Sequence, residues 1–452
     1  MKQRGSYVWW IAAVAALGGL LFGYVWVVIG GAMPFYEAHF GLTQPHTQAW
    51  AMSCALVGCL AGALLSGVLS ERFGRKPALL AAALMFTISS IGTGMAGSFT
   101  TFVLWRMCGG LAIGLASSLS PMYIAEVSPA ALRGRLVCLN ELTIVIGILM
   151  AQITNWWIAG HGTGDVMQWN AAVGWRWMFG ATAVPAAIFL IGMMFVPESP
   201  RWLALHGRDT EAGRTLERIG GCDNAAVVLR EIEESVRGAE HGGELKMLLG
   251  TKLRGVMMLG VGLAVLQQWC GINVIFNYAH DIFSAAGYDL SEILFNIVVT
   301  GVVMLVFTFV AIATVDRQGR RALMLSGCAG LVAIYVTLGY FLHVRSRGVH
   351  MLALVVAAIA CYAMTLAPVT WVVLSEVFPS RVRGTAMAVA TASLWAACFV
   401  LTYTFPLLEA RLGTAGTFWV YAGVCAVGFV CVYRWLPETK GKTLEEIEGF
   451  WS

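Results

Sequence analysis

Three amides, Gln267, Gln268 and Asn273, stand within one otherwise apolar stretch of the chain. An amide both donates and accepts hydrogen bonds, and burying one without partners costs free energy. A cluster of this kind therefore has to meet polar groups. The hydroxyls of a small solute are one set, and the polar groups of a neighbouring helix are another. Two ionisable residues also stand well inside apolar stretches, the acid Glu141 and the base Arg106. In a membrane, such residues mark functional sites by default. Glu141 fits three roles: a ligand for hydroxyl groups, a proton carrier, or a structural carboxyl paired with a neighbour. Arg106 is not its partner, because at 1.5 Å of rise per residue the two lie about 20 Å apart along straight helices. Arg106 then either retains a coupling role or reaches the interface by snorkelling.

A second group of residues repeats. Glu71-Arg72-x-Gly74-Arg75-Lys76 recurs as Asp316-Arg317-x-Gly319-Arg320-Arg321, 245 residues later. Glu126-Val127-x-Pro129 with Arg133-Gly134 recurs as Glu376-Val377-x-Pro379 with Arg383-Gly384, 250 later. Pro197-Glu198 recurs as Pro437-Glu438, 240 later. Each motif sets an acid at a helix end beside an arginine cluster. As a set repeated across both halves, these groups predict salt bridges that lock the two halves together on one membrane face and break when that face opens. Taken singly, they are topology markers and surface ion pairs of small worth.

The elements that carry these residues are apolar helices. Of the 452 residues, 58% are apolar and 12% charged, about half the charge of a soluble chain. Twelve stretches of span length run at about 8–32, 49–69, 77–97, 101–125, 136–159, 174–196, 254–279, 291–314, 322–343, 350–375, 385–407 and 416–436. The polar segment 198–252 reads as surface helices, at Ala212–Arg218 and Val228–Val236, linking two halves. The domains expected are an N-terminal six-helix half at 1–197, a cytoplasmic helical linker at 198–252, a C-terminal six-helix half at 253–436 and a short tail at 437–452. With the N-terminus inside, 24 of the 29 Lys and Arg fall in inner segments, four in outer loops and one, Arg106, in a span. The positive-inside rule thus predicts both termini in the cytoplasm. Met1–Tyr7 carries Lys2 and Arg4, but the apolar run that follows is too long for a signal peptide.

These features exclude several function classes. The net charge of +4 is set by topology and is not a nucleic-acid signal. Eleven single cysteines, with no C-x-x-C, read as small hydrophobes. No His, Asp or Ser constellation gathers at one membrane face, so no enzyme, metal or cofactor is expected. Two six-helix halves related by an axis along the membrane normal form a transporter plan, with the substrate at the midplane between them.

From Gly18 to the C-terminus the chain resembles the sugar porter family of the major facilitator superfamily. The marks are Gly18-Gly19-Leu20-Leu21-Phe22-Gly23-Tyr24, Glu71-Arg72-Phe73-Gly74-Arg75-Lys76, Pro197-Glu198-Ser199-Pro200-Arg201-Trp202, Gln267-Gln268-x-x-Gly271-Ile272-Asn273 and Pro437-Glu438-Thr439-Lys440-Gly441. Within the family the look is nearest to bacterial xylose/proton symporters, then to the animal facilitative glucose carriers. The resemblance implies a rocker-switch monosaccharide carrier. It places Gln267, Gln268 and Asn273 at the sugar, with Trp371 on span ten and Phe22 on span one. The gating roles read from the repeated motifs fall to Arg72, Arg75, Arg201, Arg317, Arg320 and Arg383, with Glu71, Glu126, Arg133, Glu198, Asp316, Glu376 and Glu438.

The chain departs from the family around this pocket. The span-one aspartate of proton-coupled members is Val25, the span-five glutamine is Glu141, the span-seven aromatic is Asn277, and the span-eleven glutamine is Leu394 beside Trp395. Glu141, Asn277 and Trp395 therefore join the substrate-binding candidates, and Glu141 and Arg106 are the coupling candidates. The loss of the aspartate favours facilitated diffusion of a hexose or pentose. Proton symport through Glu141 and carriage of a non-sugar solute are the alternatives, and a sensor is disfavoured by the short tail. A monomer in a bacterial inner membrane is expected.

Overall fold

The structure is a computed structural model that describes residues 2–129, 132–161, 165–220, 225–226, 229–230, 251–346, 348–378 and 382–440. The described chain is built of helices joined by short connections, as expected where no water is present to satisfy backbone groups and each segment must bond its own N–H and C=O. Eleven helices are long and apolar enough to cross a membrane: Tyr7–Phe40, Pro45–Phe73, Arg75–Gly94, Phe99–Val127, Arg133–Gly160, Val166–Phe195, Leu253–Asn277, Leu290–Ala311, Arg320–His343, Val349–Val377 and Gly384–Trp435. The last turns at Gly413, whose backbone (φ 70°, ψ 167°) is not helical, so it makes two passes. Twelve spans result, and each overlaps the stretch read from the sequence. The first outruns its stretch by eight residues, to Phe40.

The helix ends follow local chemistry. Ser98 and Thr101 form a capping box at the fourth span, and Asp289 and Glu292 form one at the eighth. The third and ninth spans start at Gly74 (φ 104°) and Gly319 (φ 91°), a backbone region closed to most side chains.

Packing divides the chain into two compact units. One comprises Met1–Trp26, Val57–Ala151 and Arg176–Gly242, and the other Val27–Leu56, Gln152–Trp175 and Gly243–Ser452. In the first unit, glycines bring the first and fifth spans into backbone contact. A Cβ at Gly23 would collide with the Ile144 carbonyl, and one at Gly147 with the Leu20 carbonyl. Close approach through small residues is how helices associate where lipid removes the hydrophobic drive. Of the linker, Pro200–Leu205 and Asp209–Gly220 are helical and pack through Trp202, Leu203 and Ala212. The helix expected at Val228–Val236 lies outside the described residues, apart from Leu229 and Arg230.

Candidate functional site

The amides sit on a broken helix in the second unit. The seventh span is helical to Trp269 and resumes at Ile272, and Gly271 between them is left-handed, with φ 85°. The break lets side chains on both pieces meet neighbouring spans. Gln267 Nε2 donates to the Ala367 carbonyl at 3.1 Å. Asn273 Nδ2 donates to Gln268 Oε1 and lies 3.5 Å from Cys398 Sγ. Gln267 and Asn277 are each 3% exposed. The Gln267 and Asn277 side-chain carbonyls are buried and find no partner among the described residues. So the NH₂ groups of Gln267 and Asn273 are used within the protein, while two acceptors are left over. Trp371 is half-buried on the tenth span, and Trp395 and Leu394 are buried on the eleventh.

In the first unit, Phe22 is half-buried and Val25 buried. Arg106 is 4% exposed. Its guanidinium donates to the Val25 carbonyl at 3.2 Å and lies 5.4 Å from the Phe179 ring centre. The snorkelling reading is thereby corrected, because the charge turns into the protein, where a backbone acceptor and an aromatic face hold it. Glu141 is exposed on the fifth span, with no hydrogen bond or ion pair among the described residues. Among the described residues no partner holds Glu141, which speaks against the structural-carboxyl reading.

The repeated motifs form two matching clasps. In the first unit Arg75 binds Glu126 through two hydrogen bonds of 3.0 Å. Glu198 accepts the backbone N–H of Arg75 at 3.1 Å, of Lys76 at 3.2 Å and of Ser199 at 2.7 Å. The Ser199 hydroxyl donates to Glu126. In the second unit Arg320 binds Glu376 at 3.0 Å. Glu438 accepts from the backbone N–H of Arg320 at 2.9 Å and of Arg321, Thr439 and Lys440 at 3.1 Å. The Thr439 hydroxyl donates to Glu376 at 2.6 Å. The expectation that these pairs lock one half to the other is corrected, since both described pairs join helices of a single unit. Glycine at 74 and 319 is what admits the carboxylates, because a Cβ there would collide with Glu198 or Glu438.

The clasps differ in electrostatics. Burial pushes the Glu198 carboxyl above its ordinary value, against its three N–H donors and the Arg75 charge. Burial also raises Glu438, but four backbone donors outweigh it and hold that carboxyl below the ordinary value. Of the other gating candidates, Arg72 lies 5.3 Å from the Phe73 ring. Glu71, Arg133 and Arg201 are exposed without an ion pair among the described residues. The side chains of Asp316, Arg317 and Arg383 lie outside them.

The structure adds residues that the sequence reading passed over. Ser199 and Thr439 were visible only as the matching third position of Pro-Glu-Ser and Pro-Glu-Thr. Glu37, Asp281 and Glu409 line one cavity of about 240 Å³ in the second unit, together with Gln48 and Tyr278. Glu37 and Glu409 lie on helices that continue past the apolar stretches, so Glu141 is not alone as an acid on a spanning helix.

Residues 11–451 match the family model described as Sugar (and other) transporter. The chain is 37% identical over 482 residues to the D-xylose-proton symporter of Escherichia coli (strain K12), covering 100% of this chain and 97% of that one. It is 36% identical to the arabinose-proton symporter of Bacillus subtilis (strain 168), covering 99% and 95%. It superposes on the inward open conformation of the xylose transporter XylE from E. coli with a TM-score of 0.88 at 35% identity, covering 99% and 100%. A helical chain of twelve apolar spans that matches these carriers from end to end belongs to the sugar transporter family of the major facilitator superfamily.

Proposed function

We propose that this protein carries a monosaccharide, a hexose or pentose, across the membrane by alternating access between six-helix halves at 1–197 and 253–436, by facilitated diffusion. The observation that carries the sugar reading is the pair of buried acceptors, Gln267 Oε1 and Asn277 Oδ1. A sugar hydroxyl is a donor for each of these carbonyls, and the unpaired state costs each of them desolvation. Gln268, Asn273, Trp371, Trp395, Phe22 and Glu141 complete the proposed site. The amides take hydroxyls, and the aromatic rings take the apolar C–H face of the sugar.

Facilitated diffusion rests on position 25. A valine takes no proton, and Arg106 is held by the backbone carbonyl of that residue. Proton symport through Glu141 is the second reading. Two observations favour it: Glu141 is exposed without a partner among the described residues, and the similar proteins from E. coli and B. subtilis are named as proton symporters. The reading includes a monomer in a bacterial inner membrane; the arginine distribution supports the placement of both termini in the cytoplasm.

The test is uptake of labelled hexoses and pentoses into proteoliposomes, with and without an imposed proton gradient, for wild type and Glu141→Gln. Equilibration independent of the gradient supports the facilitator. Accumulation that needs the gradient and is lost in Glu141→Gln establishes symport through the fifth span. No uptake of any sugar overturns the sugar reading in favour of another solute.

A further inference from the structure

In the second unit, the end of the fifth span touches two neighbours in different ways. Asn155 is 2% exposed; its Nδ2 donates to the Val28 carbonyl of the first span at 2.9 Å, while its Oδ1 is buried without a partner among the described residues. Gly31 lets the first span lie directly on this side chain, since a Cβ there would collide with it. One turn earlier, Gln152 is 1% exposed. Its Nε2 reaches the Thr300 hydroxyl of the eighth span at only 3.4 Å, close to the outer limit of a hydrogen bond. The Thr300 hydroxyl itself donates to the Ile297 carbonyl at 2.6 Å. Gln152 Oε1 and the Nδ2 of Asn296, a turn from Thr300 on the eighth span, are both buried without a partner among the described residues. The Trp156 and Phe295 rings, 6.4 Å apart, pack edge to face beside them. The joint between the fifth and eighth spans thus holds one long hydrogen bond, one unused acceptor and one unused donor.

We propose that Gln152, Asn296 and Thr300 form a weak latch at which the fifth span parts from the eighth, while Asn155 keeps the fifth span fixed to the first. This rests on the alternating-access reading. Closed, the latch leaves two amide atoms dry and unsatisfied; open, water satisfies both. The cost falls on the closed state alone and brings the two states nearer to balance. Turnover needs that balance, because a carrier held in one state does not cycle. Removing the unsatisfied atoms without changing side-chain shape over-stabilises closure, and a charge at the same place opposes it.

Pulsed electron–electron spin resonance tests this on the full chain in lipid nanodiscs, with spin labels at the exposed positions Gln44 and Ser284. Gln152→Met combined with Asn296→Leu is expected to shift the population toward the short distance by roughly fivefold or more and to slow sugar equilibration. Gln152→Glu is expected to shift it toward the long distance. Asn155→Leu is expected to lower the melting temperature with the distance distribution unmoved. The proposal is overturned if the paired variant and Gln152→Glu both keep the wild-type distribution, or if Asn155→Leu moves it as they do. Wild type that equilibrates sugar while the variants leave distances unchanged removes the latch alone. Wild type that equilibrates no sugar removes the transport reading beneath it.

Discussion

At the scale of single residues, the chemistry lies in acceptors and donors that the fold leaves over. Asn277→Leu removes an acceptor already buried and unpaired among the described residues, so folding is expected to hold while sugar binding weakens. A hydrogen bond lost to a neutral hydroxyl is worth about 1 kcal/mol, which is read as a rise in uptake KM of roughly fivefold. Ser199→Ala tests the first clasp. It takes one donor from Glu126 and leaves the Arg75 pair in place, so the melting temperature falls by a few degrees with the transport KM unchanged. The amides were legible because polar side chains in an apolar run announce themselves. Glu37 and Glu409 were not, because hydropathy marks where lipid ends, whereas the helix continues for as long as its backbone bonds do. Arg106 was legible as a functional candidate, but not its acceptor, because a backbone carbonyl leaves no mark in a sequence.

At the scale of elements, the two clasps share geometry and differ in sign. The fold holds Glu438 below its ordinary value near 4.5. Its ionised form therefore adds stability above that pH, and the gain is lost as pH falls toward the folded value. Glu198 is raised, so the fold favours its protonated form. That contribution is complete below about 4.5 and is lost as pH rises through the folded value. Glutamine mimics the protonated acid. Thermal melts across pH 4 to 8 are thus expected to show Glu438→Gln destabilised at neutral pH, with the gap closing below about 4.5. Glu198→Gln should match or exceed wild type at neutral pH, with the difference vanishing on acidification. The reverse pattern would refute this assignment. Gly147→Leu addresses helix packing. The Leu20 carbonyl cannot retreat from a new side chain, so loss of monodisperse protein on size-exclusion chromatography is expected. The spans and repeats were readable from the sequence because period and composition encode them. Which helix each acid would bond was not, because the pairings depend on helix rotation, and both clasp ion pairs fell within a unit.

At the scale of the whole molecule, the repeat and the arginine distribution were enough to write the expected plan of twelve spans with both termini inside. Cysteine introduced at Gly41, in the turn between the first two spans, should react with an impermeant maleimide from the outer side, and cysteine at Arg208 should react only after the membrane is opened. Labelling with the opposite sidedness would invert the topology. The units found by packing were not foreseeable. Residues 27–56 and 152–175 pack with the later helices, and a linear pattern of apolar residues carries no record of which helices meet.

The contact between Arg106 and the Val25 carbonyl has a consequence for how such a protein changes over generations. Every residue offers the same backbone oxygen, so the acceptor that holds the arginine does not depend on the side chain at position 25. Valine has a particular neighbour in the genetic code, since a single base change converts its codons GTT and GTC to aspartate. The guanidinium already stands at that residue, so a carboxylate arriving there would meet its counter-ion with no second substitution. On that view, Val25→Asp is the variant in which to look for dependence on the proton gradient.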